Sequence, residues 1–170
     1  TYTKDLYLFN LSNIAVMPKT GSEYALPYLL GLMNSKLMSF YFLNKTAKSV
    51  RKMFPKIILS DLRRFPIHRA TKAQQQPLID IVNRMLELSS AHQDEVGRLP
   101  DLLRSKYTLT TLSRALENWP GLEFKGFLAE LKKAKVQLTL AEVAEWLGYS
   151  TTEKAKAQAL SAEIAKTDKE

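Results

Sequence analysis

Basic side chains concentrated between Lys45 and Arg69 offer the clearest chemistry in this sequence, with eight Lys/Arg residues beside one acid, Asp61. Lysine and arginine neutralise phosphates and release counterions, which gives affinity for nucleic acid without sequence preference. Sequence specificity needs side chains at base edges, such as Arg on guanine or Asn on adenine. The candidate DNA-binding residues are therefore Asn44, Lys45, Lys48, Ser49, Arg51, Lys52, Lys56, Arg63, Arg64 and Arg69.

Arg63 and Arg64 are adjacent in the chain. On a helical turn or a strand, neighbouring side chains point in different directions. We therefore expect one of the two to bind DNA while the other packs or pairs with an acid.

The net charge of +8 is spread unevenly along the 170 residues. Residues 1–72 carry 12 Lys/Arg and three Asp/Glu, whereas residues 73–170 carry 13 and 14. A local positive field of this kind attracts a polyanion. Charge alone fits equally well a basic face that only keeps the protein in solution.

Catalytic patterns are missing from the sequence. No glycine-rich strand–turn–helix fingerprint occurs, and His68 and His92 lack the spacing of a metal site or a paired nucleophile. The acids of the basic part, Asp5, Glu23 and Asp61, do not form the carboxylate cluster of a metal-dependent nuclease. We therefore expect no catalytic residue, cofactor site or metal site in these residues, and we expect Asp61 to cap a helical turn.

Composition favours a soluble protein of a reducing compartment. Apolar residues make up 45% of the chain and cysteine is absent, which excludes disulfides and thiolate metal sites. No apolar run has the length of a membrane span, and the N-terminus lacks a signal-peptide pattern. Because the chain starts at Thr1 and stops at Glu170 within a helix-like segment, we expect it to be a piece of a larger protein.

The first part of the chain alternates short apolar runs, turns and one apolar helix. Residues 14–17 and 56–59 indicate short strands, and residues 18–23 indicate a turn. Residues 27–42 predict a helix that opens on a proline, is apolar nearly all round and is therefore buried. We expect Leu37 and the aromatic triplet from Phe40 to pack in the core, with stacking on bases as the weaker alternative.

The second part is predicted to be helical. A helix over residues 72–96 carries an apolar stripe at near-heptad spacing, although its regular part would start at Pro77. Gly97 and Pro100 predict a break. Further helices are predicted over residues 101–119, 124–135, 140–147 (N-capped by Thr139) and 152–165. The predicted fold class is α+β, with a mixed α/β module of buried helix and short strands (residues 1–71) followed by a helical region (residues 72–170).

Four short motifs, in this order and spacing, resemble the TaqI-like C-terminal specificity domain over approximately residues 5–90. They are GLMNSKL at 31–37, FPKI at 54–57, LRRFPI at 62–67 and QQQPL at 74–78. The helical remainder looks like the C-terminal region of Eco57I-type (type IIG) restriction-modification proteins and related adenine-specific DNA methyltransferases. Residues 45–52 fall where such domains vary, as expected if that loop reads bases.

This resemblance implies a DNA target-recognition module, present as its C-terminal part. It would bind double-stranded DNA and position it for an adenine-N6 methyltransferase domain of the same parent chain, with or without an endonuclease domain. That family's catalytic and cofactor motifs do not occur in these residues, so S-adenosylmethionine and Mg²⁺ would belong to the parent protein. Asn34, Ser35 and Lys36 would mostly build the fold, and the protein would be cytoplasmic.

Two alternatives stay open. A specificity subunit of a type I system has similar recognition domains separated by long paired helices, and the helix over residues 72–96 would suit it. A helical protein-interaction module without DNA binding would use the stripe at Leu78, Ile81, Val82, Met85 and Leu88 to seek a partner helix. Salt separates these classes, since DNA binding weakens steeply with salt and an apolar interface does not.

Overall fold

The computed structural model describes residues 14–17, 19–45 and 57–169. All regular elements within these ranges are helical. They are α1 (Leu26–Asn34), α2 (Lys36–Lys45), α3 (Leu59–Leu62), α4 (Lys72–Tyr107), α5 (Arg114–Glu117), a 3₁₀ turn (Trp119–Gly121), α6 (Phe124–Lys133) and α7 (Leu140–Thr167). Contacts divide the chain into two compact units, Thr1–Asn83 and Arg84–Glu170.

The predicted α+β class is wrong, because the described residues contain helices and no strand. Residues 14–17 are exposed and form no ladder. Ile58 does adopt extended dihedrals (φ −106°, ψ 160°), but α3 begins at the next residue. Apolar β-branched residues favour extended backbone, whereas a strand also needs a neighbour to pair with. No such neighbour lies among the described residues, and Lys56 lies outside them.

Ser35 divides the single helix predicted for residues 27–42 into α1 and α2. Its backbone is extended (φ −67°, ψ 153°), and its N–H donates to the carbonyl of Leu32 at 3.2 Å. Its hydroxyl donates to the same carbonyl at 2.7 Å and accepts from the N–H of Met38 at 3.1 Å. Ser35 therefore ends α1 and N-caps α2, which gives this part of the GLMNSKL motif a structural reason.

Gly31 marks a close approach of α1 to the first turns of α4 in the N-terminal unit. A Cβ atom at this position would lie 2.8 Å from Cγ2 of Val82 and 3.0 Å from Cδ1 of Leu78. Real Cβ contacts are almost never this short, so the two helices pack at a distance that a larger residue would increase. Leu78 and Val82 belong to the predicted apolar stripe, which at these positions packs within the unit.

Gln75 ties the start of α4 to the backbone on either side. Its side chain is 1% exposed, and its Oε1 accepts from the N–H of Ala25 at 3.1 Å. Its Nε2 donates to the carbonyls of Glu23 and Ala70, both at 2.9 Å. A buried amide is stable only when its polar atoms are paired, and here both the oxygen and the nitrogen have partners. The glutamine of the QQQPL motif is thus a structural clamp.

Helix α4 begins at Lys72 and continues through Pro77, Gly97 and Pro100 to Tyr107. The predicted start at Pro77, the predicted break after residue 96 and the predicted helix over residues 101–119 are therefore wrong. Leu99 and Leu103 continue the apolar side of α4 and are fully buried. Burial of such side chains contributes about 1.5–3 kcal/mol each, which offsets the local cost of Gly and Pro within a helix.

The core of the C-terminal unit brings α4, α5, α6 and α7 together around aromatic and leucine side chains. The indole N–H of Trp119 donates to the carbonyl of Val96 at 2.9 Å, and that of Trp146 donates to the hydroxyl of Tyr107 at 2.8 Å. The core consists of Leu99, Leu103, Leu116, Trp119, Phe127, Leu131 and Trp146.

Helix α7 replaces the two helices predicted over residues 140–147 and 152–165. Thr139 caps it as predicted, and its hydroxyl accepts from the N–H of Glu142 at 3.3 Å in a capping box. The helix continues past Gly148 because Trp146, Glu153 and Ala157 lie on one buried side. The helix predicted over residues 124–135 is confirmed as α6.

Glu95 of α4 and Glu153 of α7 form a buried carboxyl pair in the C-terminal unit. The hydrogen bond to Glu153 raises the pKa of Glu95, with burial as the second cause. The same hydrogen bond lowers the pKa of Glu153, assisted by Lys156. One proton shared between the two explains both directions, since a protonated Glu95 can donate to an ionised Glu153. Arg98 and Lys156 each form an ion pair with one member.

Replacing Gly31 tests the close approach of α1 to α4. We expect Gly31→Ala to lower the free energy of unfolding by about 1–3 kcal/mol, because the methyl group overlaps Val82. Gly148→Ala in α7 is the matched control, since a Cβ there meets nothing within 4 Å, and it should gain about 0.5–1 kcal/mol. Thermal unfolding followed by circular dichroism measures both, and equal shifts would contradict the packing.

Gln75→Ala tests the clamp at the start of α4. It leaves one N–H and two carbonyls without their partner, so we expect a loss of about 3 kcal/mol in the free energy of unfolding. Gln76→Ala, which removes an exposed hydrogen bond to Asp80, should change stability by less than about 0.5 kcal/mol. Urea titration compares the two variants. The clamp has no role if both behave alike.

Glu95→Gln tests the shared proton through pH. A carboxyl with a raised folded-state pKa stabilises the fold below its ordinary pKa and loses that contribution as pH rises through the raised value. The stability of the unmodified protein relative to Glu95→Gln should therefore fall as pH rises above the ordinary carboxyl range, because glutamine keeps a donor toward Glu153 without titrating. Urea unfolding at several pH values measures the difference. A difference independent of pH would exclude the shared proton.

Candidate nucleic-acid interface

The segment after α3 is anchored by Phe65, which is 7% exposed. Its ring makes edge contacts with Tyr41 at 6.1 Å and Phe42 at 6.4 Å between centroids, both on α2. Edge-to-face aromatic pairs at such distances add to the stability that burial provides. The LRRFPI motif thus supplies one inward aromatic residue that fixes the chain carrying the neighbouring arginines.

Two tyrosines hold the backbone of the same segment. The hydroxyl of Tyr41 donates to the carbonyl of Arg64 at 3.2 Å. The hydroxyl of Tyr28, a residue of α1 that is 4% exposed, donates to the carbonyl of His68 at 3.1 Å. These bonds involve only the backbone of Arg64 and His68, and both residues are exposed.

Arg63 and Arg64 are both exposed, and so is Arg69. The expectation that one of the adjacent pair packs or pairs with an acid is not met among the described residues. Neither forms an ion pair there, and Phe65 provides the inward side chain of this turn.

Asp61 is not a helix cap as predicted. It lies inside α3, whose N-cap is Ile58. Its Oδ2 is buried and has no hydrogen-bond partner among the described residues. The short length of α3 explains the error, because a cap assigned from residue type alone can shift by a few positions in a single helical turn.

The end of α2 contributes Asn44 and Lys45, which are exposed. The amide nitrogen of Asn44 donates to the carbonyl of Phe40 at 2.8 Å, which orients the side-chain oxygen as the remaining acceptor. The structure therefore describes five candidate residues, on α2 and on the segment after α3. The other candidates, Lys48, Ser49, Arg51, Lys52 and Lys56, lie outside the described residues.

The burial predicted for Leu37 and Phe40 is wrong. Leu37 is 76% exposed, Phe40 is 65% exposed, and Leu43 on the same helix is 57% exposed. The inward side of α2 carries Met38, which is 5% exposed, together with Tyr41 and Phe42. Because every residue from Leu37 to Leu43 except Ser39 is apolar, hydrophobic periodicity could not indicate which side of α2 would face outward.

Metal-binding clusters are absent from the part of the chain that the structure describes, where no three His, Asp or Glu side chains lie close enough to hold an ion. No helix among the described residues is both long and apolar enough to span a bilayer.

Exposed arginines on a segment fixed by buried aromatic residues define the N-terminal unit as a helical module with an electropositive surface. Comparison with protein families identifies the families that the two parts of the chain match. Residues 1–67 match the TaqI-like C-terminal specificity domain, and residues 71–170 match a family described as a domain of unknown function (DUF8810). The chain therefore belongs to the DUF8810 family over more than half of its length. Its first 67 residues are a TaqI-like C-terminal specificity domain, which confirms the resemblance for the motifs at 31–37, 54–57 and 62–67. The fourth motif, QQQPL at 74–78, lies in the DUF8810 match instead.

A curated relative comes from Methanocaldococcus jannaschii and is named as a putative type II restriction enzyme and methyltransferase. It is 39% identical over 64 residues, which are 38% of this chain and 5% of the relative. The chain thus spans a small part of that protein's length. No solved structure matches the chain.

Substitutions at Arg63, Arg64 and Phe65 test which of these side chains stabilise the segment after α3. Because Arg63 and Arg64 are exposed, Arg63→Ala combined with Arg64→Ala should change the free energy of unfolding by less than about 1 kcal/mol. Phe65→Ala should lower it by about 3 kcal/mol or more, since it empties the space beside Tyr41 and Phe42. Thermal unfolding separates them, and a destabilised arginine variant would show that these side chains are structural.

Proposed function

We propose that the N-terminal unit recognises a DNA sequence on behalf of a restriction-modification protein. The match of residues 1–67 to a specificity domain supports this proposal. The observation that carries it is the exposure of Arg63, Arg64 and Arg69 on a segment fixed by Phe65 and two tyrosine hydroxyls. Arginines on a rigid support can contact phosphates and guanine edges with little loss of conformational freedom.

We further propose the kind of parent protein to which the N-terminal unit belongs. A type IIG enzyme with an adenine-N6 methyltransferase domain, with or without an endonuclease domain, would use this module to position double-stranded DNA in the cytoplasm. The name of the Methanocaldococcus jannaschii relative supports a parent of this general kind. S-adenosylmethionine and Mg²⁺ would bind to its other domains, and no residue of this chain is assigned to them.

The two alternatives receive unequal support. A type I specificity subunit would also contain a recognition domain followed by a long helix, and α4 with 36 residues fits both systems. The helical interaction module is less well supported, because Leu78 and Val82 of its proposed stripe lie against Gly31 of α1. At least this part of the stripe is core packing.

Salt-dependent binding to random-sequence duplex DNA tests the proposal. The chain should bind at about 50 mM salt and lose affinity by orders of magnitude at about 200 mM, in proportion to its phosphate contacts. Arg63→Ala combined with Arg64→Ala should weaken binding and reduce the salt slope by about 1 for each phosphate that the variant no longer neutralises. The control, Lys125→Ala combined with Lys132→Ala, removes two exposed lysines of α6 and should bind as the unmodified chain does.

A second variant addresses the basic residues between positions 45 and 52. Lys48→Ala, Arg51→Ala and Lys52→Ala together should abolish binding and leave the unfolding temperature unchanged, if these residues read DNA. Equal losses in the arginine variant and the α6 control would show that binding follows net charge rather than this surface. Binding that does not depend on salt would contradict the proposal.

A further inference from the structure

A cleft of about 370 Å³ opens beside the start of α4 in the N-terminal unit. Its charged side chains are exposed, and they are two cations and one acid. The residues that line it are Glu23, Arg69, Ala70, Thr71 and Lys72. We call it the α4 cleft. Neither Lys72 nor Glu23 is among the DNA-binding residues that the sequence predicts.

The two backbone segments that line the α4 cleft are joined by the buried side chain of Gln75. Its Nε2 donates to the carbonyl of Glu23 and to the carbonyl of Ala70, both at 2.9 Å. Two carbonyls that share one donor nitrogen lie close together, although these two are far apart in the sequence. The hydroxyl of Tyr28 also holds the carbonyl of His68, next to Arg69. The fold therefore fixes the backbone that brings one acid and two cations to the same cleft.

The charged side chains of the α4 cleft are available to a ligand. Glu23, Arg69 and Lys72 form no ion pair with any residue that the structure describes. The side chain of Thr71 already caps α4, since its hydroxyl accepts from the N–H of Gln74 at 3.3 Å. The groups that could bind an anion here are therefore the guanidinium of Arg69 and the ammonium of Lys72.

The position of the cleft favours the DNA backbone as its ligand. Arg69 belongs to the segment that exposes Arg63 and Arg64, and Lys72 follows it by three residues. The sugar–phosphate backbone is a ridge that fits a cleft, whereas base edges lie inside the grooves and are reached by protruding side chains. Arginine and lysine both form charge-assisted hydrogen bonds to phosphate oxygens. The cleft thus adds a phosphate site to the basic surface.

We propose that Arg69 and Lys72 together hold one phosphate of the DNA backbone in the α4 cleft, and that the carboxylate of Glu23 weakens this contact. The inference rests on the proposed function and deepens it. Arg69 lies between the two family matches and Lys72 lies within the DUF8810 match, so the DNA surface extends beyond the specificity-domain match. A carboxylate beside the phosphate lowers the part of the affinity that does not depend on sequence.

Removal of both cations tests whether they share one phosphate. Arg69→Ala combined with Lys72→Ala should weaken binding of the 170-residue chain to a random-sequence duplex at about 50 mM salt. The slope of affinity against salt should fall by about 1, because one phosphate is no longer neutralised. A fall of about 2 would show two separate phosphates and overturn the shared site. Lys72→Arg, which keeps the charge, should bind as the unmodified chain does.

A substitution of opposite charge gives an independent readout. Glu23→Gln removes the negative charge at nearly constant size and should strengthen binding several-fold at the same salt, because it removes repulsion from the phosphate. The matched control, Lys36→Ala, removes one exposed lysine from α2 of the same unit and should leave the salt slope unchanged. All these side chains are exposed, so thermal unfolding should show nearly unchanged stability.

The arginine variant of the proposed function separates the two claims. Weaker binding in Arg63→Ala combined with Arg64→Ala, together with equal effects of Lys72→Ala and Lys36→Ala, would overturn the phosphate site and leave the proposed function in place. Weaker binding in Glu23→Gln would also overturn it, since the acid would then contribute to the contact. Binding without salt dependence in the unmodified chain would contradict the proposed function and the phosphate site with it.

Discussion

The paired amide of Gln75 is the constraint on which the N-terminal unit depends. It bonds to Glu23 and Ala25 ahead of α1 and to Ala70 ahead of α4, so one side chain fixes where both helices begin. Gly31 then allows α1 to approach Leu78 and Val82 of α4. With α1 in place, Tyr28 can reach the carbonyl of His68 and hold the segment that carries the arginines. The basic surface therefore depends on contacts that contain no charge.

In this arrangement the residues that fix the backbone differ from the candidate DNA-binding residues. Aromatic residues, one serine and one glutamine fix the backbone, while arginines, Asn44 and Lys45 remain exposed around it. Exposed side chains can change without loss of the fold, which suits the proposed role in DNA recognition.

Local chemistry decided which features could be predicted from the sequence. The Thr139 cap, helix α6 and the specificity-domain motifs follow from residue types at short spacing. Prediction failed where tertiary contacts determine the local structure. The continuity of α4 through Pro100 depends on the burial of Leu99 and Leu103. The side of α2 that faces outward depends on where Phe65 packs. The predicted strands failed because extended dihedrals at Ile58 do not supply a pairing partner. In the candidate site, the adjacency of Arg63 and Arg64 in the sequence could not predict that both side chains would be exposed.

Hydrogen–deuterium exchange of the unmodified chain, with and without a DNA duplex at low salt, tests the central claim most directly. It reports which backbone amides become protected, so it locates the DNA surface without any substitution. If the N-terminal unit recognises DNA, the duplex should slow exchange in residues 63–70 and at the end of α2, and leave α6 and α7 unchanged. Protection confined to α6 and α7 would contradict it.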